Sequence, residues 1–309
     1  MTRAFVCPGQ GAQFIGMGKA LAEAFPVASE VFQEVDDALA QPLSQLIWEG
    51  ELEALTLTEN AQPALMATSL AAARVLDAEG LGVETADFVA GHSLGEYSAL
   101  AIAGALSVGN AATLLRTRGK AMQEAVPVGI GAMAALLGLD LKTASKVAKE
   151  AAQGEVCEAA NDNDPAQVVV SGHKSAVERA VKLAKEYGAR RAVLLPVSAP
   201  FHCSLMAQAA DVMAAALSEI EFQPPKVPLV SNVLAEAVRN PDEIRKLLVK
   251  QITGAVRWRE SVVWMAENGV SEIWEIGAGK ALSGMVRRIE KRINCRNVAT
   301  PEDISLLSL

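Results

Sequence analysis

The stretch GHSLGEYSAL (residues 91–100) places a serine between two glycines, where a strand is expected to end and a helix to begin. Ser93 follows the apolar run at 88–90, and the residues from Gly95 onward are small and compatible with a helix. The pattern G-x-S-x-G between a strand and a helix is typical of a nucleophile elbow, a sharp turn that exposes the serine oxygen. The amide of the next residue, Leu94, and the N-terminus of the helix would then face a developing oxyanion. The stretch predicts a nucleophilic serine, and the alternative is a capping serine in an ordinary glycine-rich turn.

A nucleophilic serine needs a base, and the chain has three histidines. His202 lies after a predicted strand and before a predicted helix, where loops at a sheet edge carry functional groups. We predict that it is the base, with a hydrogen-bonded structural histidine as the alternative. His92 adjoins the serine, and neighbouring side chains on extended backbone point to opposite faces, so we expect a supporting role. His173 is interpreted as a surface turn residue.

A hydrolase of this kind would also need an Asp or Glu between the serine and the histidine in chain order. Asp140, Asp162 and Asp164 are available, but none is obviously placed to orient His202. We therefore predict a serine–histidine pair whose imidazole is held by a backbone carbonyl.

Strands and helices alternate along most of the chain, which favours a mostly parallel sheet. Helices are predicted at 16–25, 28–40, 64–76, 95–106, 110–125, 204–219, 241–252, 260–268 and from the glycine turn at 277–279 to 293, with strands at 4–7, 88–92, 227–231 and 272–276. Pro63 is expected in the first turn of its helix. Between 132 and 197 the order is strand–helix–strand–strand–helix–strand, the split ferredoxin-like pattern. An inserted subdomain is predicted there.

Composition excludes several classes of protein. A formal charge of −8 argues against a general nucleic-acid surface. The four cysteines form no C-x-x-C pair, which favours reduced thiols over a zinc or redox site. The N-terminal apolar run is too short for a signal peptide, and no stretch is expected to span a membrane. We therefore expect a cytoplasmic protein that binds neither nucleic acid nor membranes.

Two glycine motifs resemble phosphate loops without completing them. The segment at 9–11 begins like a dinucleotide fingerprint, but Phe14 stands where the third glycine should be. Gly279-Lys280 is followed by alanine and lacks the earlier glycine of a Walker loop. The amide side chain of Gln10 is instead expected to approach the elbow from a neighbouring strand.

Taken together, eight stretches resemble the malonyl-CoA:acyl carrier protein transacylases of fatty acid synthesis and the related acyltransferase domains of polyketide synthases. The resemblance runs over nearly the full length, in the right order and spacing. The stretches are PGQGAQFIGMG (8–18), QPALMA (62–67), GHSLGEYSAL (91–100), RGKAMQEA (118–125), GAMAALLG (131–138), ANDNDPAQVVVSG (160–172), LPVSAPFHCSLM (195–206) and EIGAGKALSG (275–284).

The resemblance implies a role for each matching residue. Ser93 would be the nucleophile that becomes malonylated and His202 the base. Gln10 and the Leu94 amide would line the oxyanion hole. The stretch at 161–163 would line the cleft.

Three further residues take their roles from the resemblance alone. Arg118 would hold the free carboxylate of the malonyl group; on its residues alone, this part of the helix predicts a solvated basic face. Gln251, in a shorter match, would supply the carbonyl that orients His202. Phe201 resembles the malonyl-selective members more than those that take branched units.

The predicted fold is α/β, with an α/β-hydrolase-like main domain at 1–128 and 196–309 and an inserted ferredoxin-like subdomain at 129–195. The predicted activity is a ping-pong transfer of malonyl from malonyl-CoA to the phosphopantetheine thiol of holo acyl carrier protein, with no metal or redox cofactor. Three alternatives remain: a discrete acyltransferase of a polyketide or polyunsaturated-lipid pathway, a serine esterase, and a non-catalytic docking module for the carrier.

Overall fold

Two β-sheets organise the protein in the computed structural model, which describes residues 2–197 and 199–307. The strands of this part of the chain are β1 (Thr2–Cys7), β2 (Phe88–Gly91), β3 (Gly131–Leu137), β4 (Cys157–Asp164), β5 (Gln167–His173), β6 (Arg191–Leu194), β7 (Leu229–Val230), β8 (Ala237–Val238), β9 (Val270–Ile276) and β10 (Asn294–Val298).

The α-helices surround these strands. They are α1 (Lys19–Ala24), α2 (Pro26–Leu39), α3 (Leu43–Glu49), α4 (Leu52–Thr56), α5 (Thr58–Ala78), α6 (Gly95–Ile102), α7 (Val108–Glu124), α8 (Leu141–Ala152), α9 (Lys174–Glu186), α10 (Ala207–Ser218), α11 (Pro241–Thr253), α12 (Trp258–Glu267), α13 (Ala281–Ile289) and α14 (Pro301–Ser305).

The larger sheet has the strand order β10-β9-β1-β2-β7-β8. Its pairs are parallel except for β7 with β8, as the alternation of strands and helices predicts. In the centre Cys7, the last residue of β1, pairs with Gly91, the last residue of β2. Because parallel strands end at the same edge of the sheet, the loops after β1 and β2 emerge side by side. This edge receives Gln10 from one loop and Ser93 from the other.

The smaller sheet is antiparallel, with the order β4-β5-β3-β6, and α8 and α9 complete the predicted strand–helix–strand–strand–helix–strand unit. One face of this sheet packs on α8 and α9 over an apolar core of small and branched side chains. Its other face contributes Met133, Ala135, Ala160 and Val169 to the main apolar core of the protein. The two parts meet along β4, where the Val256 amide donates to the Ala160 carbonyl (2.8 Å) and the Asp162 amide donates to the Val256 carbonyl (2.9 Å).

Several predicted elements differ in extent from those observed: the helix predicted at 95–106 ends at Ile102, and the strand predicted at 227–231 is only Leu229–Val230. The helix predicted at 64–76 is α5, which begins at Thr58, so Pro63 lies inside the helix rather than in its first turn. The last predicted helix ends at Ile289, and residues 294–298 form the edge strand β10. The polar sequence NCRNV hides this strand because an edge strand needs little apolar surface.

None of the helices in the described ranges is long and apolar enough to cross a membrane. The four cysteines are all free thiols.

Candidate active site

The turn between β2 and α6 has the strained geometry that the glycine pattern predicts. Ser93 has φ of +55°, a left-handed conformation that costs a non-glycine residue about 1 kcal/mol or more. A Cβ on Gly91 would lie 1.9 Å from the carbonyl carbon of Gly95, so strand and helix could not approach this closely with a larger residue. The strained turn is held by Asn232, whose side-chain oxygen accepts a hydrogen bond from the Ser93 amide (2.8 Å).

His202 lies against the serine hydroxyl, with 2.7 Å between Ser93 Oγ and His202 Nε2. Its other ring nitrogen, Nδ1, lies 2.9 Å from the backbone carbonyl oxygen of Gln251. Because a carbonyl can only accept, Nδ1 carries the proton and Nε2 is left to accept the proton of Ser93. Burial, and then the charge of Arg118, lower the pKa of His202 to about 3. The imidazole is therefore neutral at physiological pH and available as a base.

Arg118 projects from α7 into the same site and is only 1% exposed. Nη2 donates to Ser93 Oγ (3.1 Å) and to Gln251 Oε1 (2.8 Å), and Nη1 donates to Gln62 Oε1 (2.7 Å). The sequence around Arg118 predicts a solvated helix face, and this prediction is wrong because the side chain is buried in the site. Three of the five N–H donors of the guanidinium have partners in these contacts, so donors remain for an anionic ligand.

A buried carboxylate lies beneath this arginine. Glu96, 1% exposed in the first turn of α6, accepts from the amide of Asn232 (2.6 Å) and from Nε2 of Gln251. The same Gln251 side chain bonds Arg118 through its oxygen, so it joins the carboxylate to the guanidinium. Burial raises the pKa of Glu96 to about 7, against the lowering effect of its hydrogen bonds and of Arg118.

Two residues that line the cleft together with Ser93 carry hydrogen-bond donors that are unpartnered in the described part of the chain. Gln10 and Leu94 both line the cleft, which has a volume of about 450 Å³. Gln10 Oε1 accepts from the Thr58 hydroxyl (2.9 Å). Within residues 2–197 and 199–307, neither the N–H groups of Gln10, on its backbone and on Nε2, nor the Leu94 amide has an acceptor. N–H donors of two residues are therefore available to a negatively charged oxygen in this cleft.

The remaining wall of the cleft is mainly apolar. Phe201, the residue before His202, lines the cleft and is 8% exposed. The smaller sheet contributes Met133 and Asn161 to this wall.

The other two histidines form hydrogen bonds within or to the smaller sheet. His92 Nε2 lies 2.8 Å from Asn163 Oδ1 of β4, and burial lowers its pKa. The His92 side chain therefore bonds the smaller sheet and also lines the cleft beside Ser93. His173 is the last residue of β5, and its Nδ1 accepts from the Val156 amide (2.9 Å). The interpretation of His173 as a surface turn residue is wrong.

Four polar side chains of the site were not predicted from the sequence: Thr58, Gln62, Glu96 and Asn232. Thr58 and Gln62 precede the predicted start of their helix, and Asn232 follows a short strand. Glu96 lies within the quoted elbow, and an acidic residue in a first helical turn is usually explained by the helix dipole. The sequence carries no signal that these side chains are buried together.

Comparisons with known proteins agree with this geometry. Residues 4–278 match the acyl transferase domain family. The chain is similar to the malonyl CoA-acyl carrier protein transacylase of Bacillus subtilis (strain 168), with 47% identity over 304 residues, which cover 98% of this chain and 95% of that protein. It is also similar to the crystal structure of an acyl-carrier-protein-S-malonyltransferase from Bartonella henselae, with 53% identity, a TM-score of 0.97, and coverage of 99% of this chain and 98% of that one.

A further similar structure is that of a malonyl-transacylase in complex with a type II polyketide synthase acyl-carrier protein, with 44% identity, a TM-score of 0.96, and coverage of 99% of this chain and 98% of that one. The chain belongs to the acyl transferase domain family and, within it, to the malonyl CoA-acyl carrier protein transacylases.

Proposed function

We propose that the protein transfers the malonyl group of malonyl-CoA to the phosphopantetheine thiol of holo acyl carrier protein and so supplies malonyl carrier protein for fatty acid synthesis. The observation that carries this proposal is the contact of Ser93 Oγ with both His202 Nε2 (2.7 Å) and Arg118 Nη2 (3.1 Å). This contact supports a site in which a serine nucleophile, a neutral base and a cation act together.

In the first half-reaction, Ser93 Oγ attacks the thioester carbon of malonyl-CoA while His202 Nε2 takes the hydroxyl proton. The carbonyl oxygen becomes an oxyanion that accepts hydrogen bonds from Gln10 and the Leu94 amide. The carbon–sulfur bond then breaks, and the departing CoA sulfur takes the proton from His202. The product is malonyl-Ser93 and free CoA.

In the second half-reaction, the thiol of holo acyl carrier protein gives its proton to His202, and its sulfur attacks the malonyl ester. The same two donors hold the second oxyanion. The ester bond to Ser93 breaks, and His202 returns the proton to Oγ. The carbonyl oxygen of Gln251 holds the imidazole in one tautomer through both steps.

Selection of a malonyl group requires recognition of its free carboxylate. Arg118 is charged, planar and 1% exposed, and a guanidinium meets a carboxylate with strong, directional hydrogen bonds that gain strength away from water. We propose that it binds the malonyl carboxylate. Phe201 limits the space beside the acyl chain and disfavours branched units.

We further propose the domain boundaries and the location of the protein. Residues 129–195 form the inserted subdomain, and the segments 1–128 and 196–309 form the main domain, with the site in the cleft between them. The free thiols and the proposed substrate, a CoA thioester, favour a cytoplasmic location.

The experiment is intact-protein mass measurement after brief mixing with malonyl-CoA, followed by a chase with holo acyl carrier protein. We expect a malonyl adduct on the wild type that moves to the carrier, and no adduct on Ser93→Ala. An adduct that persists in Ser93→Ala would place the nucleophile elsewhere.

The same experiment distinguishes the alternatives. A serine esterase would hydrolyse the adduct in the presence of the carrier, and a docking module would form no adduct. The carbonyl partner of His202 argues against a hydrolase triad, which uses a carboxylate there. The similarity to a polyketide transacylase keeps that pathway as the second candidate, and transfer to carrier proteins of the two pathways would separate them.

A further inference from the structure

One buried side chain bonds the sharp turn of Ser93 at two points. Asn232 is 0% exposed; its Oδ1 accepts from the Ser93 amide (2.8 Å), and its Nδ2 donates to the Gly91 carbonyl oxygen (2.7 Å). We propose that Asn232 is a positioning residue that holds Ser93 in its left-handed conformation and so directs Oγ at His202. This inference rests on the proposed function, in which Ser93 is the nucleophile.

The place of Asn232 in the larger sheet brings it to this turn. Strand β7 pairs with β2 in parallel, with Val230 opposite Ala90. Asn232 follows β7 by two residues, and Ser93 follows β2 by two residues. Because parallel strands end at the same edge of the sheet, the two loops emerge side by side, and a short side chain reaches from one to the other.

The chemistry of the turn fixes which end of the Asn232 amide faces which group. A backbone N–H only donates and a carbonyl oxygen only accepts, so the side-chain oxygen must face Ser93 and the nitrogen must face Gly91. Within residues 2–197 and 199–307 the Ser93 amide has no other acceptor. The side chain therefore bridges the two residues on either side of His92.

Asn232 is itself held by the chain around it. Its amide donates to Glu96 Oε1 in the first turn of α6 (2.6 Å), and its carbonyl oxygen accepts from the Arg257 amide (3.0 Å). Its backbone N–H and carbonyl and both polar atoms of its side chain are thus bonded. Asn232 therefore bonds the chain before, at and after Ser93. A strained backbone persists where its surroundings fix it in this way.

The position of Ser93 matters because His202 is fixed independently. His202 also has a left-handed backbone, with φ of +58°, and its Nδ1 is held by the Gln251 carbonyl oxygen. Gln251 Nε2 donates to the Ser93 carbonyl oxygen (2.9 Å), which leaves the Ser93 amide to Asn232. If this end of Ser93 relaxed, Oγ would move away from a base that is held in place. A misplacement of about 1 Å can cost about 10²-fold in rate.

The test compares two substitutions of similar shape. Asn232→Leu keeps the branched outline of the side chain and removes both polar atoms, whereas Asn232→Asp keeps an oxygen that accepts from the Ser93 amide. Single-turnover malonylation of Ser93 is measured against malonyl-CoA concentration, at a temperature where each variant is folded. For Asn232→Leu we expect a maximal rate about 10²-fold lower. Half-saturation should change less than about threefold, because a buried residue outside the cleft wall does not bind substrate.

The other variants separate the hydrogen bonds from packing. For Asn232→Asp we expect a maximal rate at least about tenfold above that of Asn232→Leu, because the acceptor remains. If Asn232→Leu does not fold, Asn232→Ala takes its place with the same expected loss. Asn297→Ala is the matched control: this amide donates to Glu275 and Ser283 (both 3.1 Å), away from the cleft, so we expect a wild-type rate.

A second readout does not depend on malonyl-CoA. A fluorophosphonate reacts with an activated serine: a bond forms between Oγ and phosphorus, the phosphorus–fluorine bond breaks, and fluoride leaves while His202 takes the hydroxyl proton. We expect this labelling to slow in Asn232→Leu by the same factor as malonylation, since both reactions need Oγ against His202.

Two results would overturn the inference. One is a wild-type maximal rate in the folded leucine or alanine variant. The other is an equal loss in Asn232→Asp and Asn232→Leu, which would mean that the acceptor for the Ser93 amide does not matter. A wild-type protein that the fluorophosphonate labels and malonyl-CoA does not acylate would instead contradict the proposed function, and the labelling rates would still test Asn232.

Discussion

The two sides of the cleft are built from different kinds of interior. The side formed by the larger sheet buries polar and charged groups together, among them Arg118, Glu96 and Gln251. The core between the smaller sheet and its helices is apolar, and the buried charged residues of this sheet lie on the strand β4. The comparison indicates that one side holds the proposed reacting groups, whereas the other supplies a wall of the cleft and its attachment.

The largest effect should come from removing the cation of the polar side. Arg118→Ala removes the proposed partner of the malonyl carboxylate, and hydrogen bonds to charged groups contribute about 1.5–3 kcal/mol each. We expect kcat/KM for malonyl-CoA to fall by about 10²–10³-fold. Acetyl-CoA has no carboxylate, so its transfer should fall much less. Competition between the two thioesters, measured by intact-protein mass, gives the ratio directly.

A matched control uses Arg118→Lys, which keeps the charge and loses the planar fork. We expect it to bind malonyl-CoA better than the alanine variant and worse than wild type. Equal losses for malonyl and acetyl transfer in Arg118→Ala would contradict the carboxylate role and leave Arg118 as a support for Gln62 and Gln251.

Whether a residue of the site could be predicted from the sequence depends on the kind of residue. The position of Ser93 on the sharp turn after β2 was predictable because a strand, two glycines and a helix surround it, and its pairing with His202 because only three histidines compete. Arg118 could be assigned only through the resemblance, since its own neighbours predict a solvated helix. Its burial arises where α7 meets α5, a contact between elements distant in sequence.

Contacts between elements distant in sequence also explain the residues and elements that were not predicted. Thr58 and Gln62 are ordinary polar residues for a helix start, and nothing local says that they face a partner 48 to 56 positions away. The alternation of strands and helices predicted the larger sheet, whereas the polar edge strand β10 carries no apolar pattern to reveal it. Local motifs could be recognised in the sequence, whereas contacts between elements distant in sequence could not be predicted from it.

The pH dependence of acylation should separate two buried groups of the polar side. The pKa of His202 is lowered to about 3, so its neutral form persists as the pH falls from 8 to 5. The pKa of Glu96 is raised to about 7, so this carboxyl becomes protonated below neutral pH and loses an acceptor for Gln251 or Asn232. We expect kcat/KM of malonylation to fall below about pH 7, by up to about tenfold per pH unit.

Glu96→Gln identifies the group responsible, because it cannot titrate. We expect this variant to start from a lower rate and to show no fall between pH 8 and 5. A fall near pH 6.5 that persists in Glu96→Gln would assign the titration to a solvated His202 and contradict the lowered pKa.

The smallest effect on chemistry should come from the attachment of the smaller sheet. Asp162 of β4 is 1% exposed and accepts from Arg259 of α12 at both oxygens (3.1 and 2.9 Å). Arg259→Ala leaves this carboxylate buried without its cation, which should lower the free energy of unfolding by about 1–3 kcal/mol. Lys19→Ala, at an exposed ion pair with Glu49, is the control and should cost less than about 1 kcal/mol.

Because Arg259 touches no reacting group, the malonylation rate of Arg259→Ala should stay within about twofold of wild type at a temperature where the variant is folded. Chemical denaturation and single-turnover kinetics on one preparation measure both quantities. A rate loss of about tenfold or more in Arg259→Ala would contradict the distinction between the two sides of the cleft. It would mean that β4 positions the chemistry itself, and the contact of Asn163 with His92 beside the nucleophile would be the route.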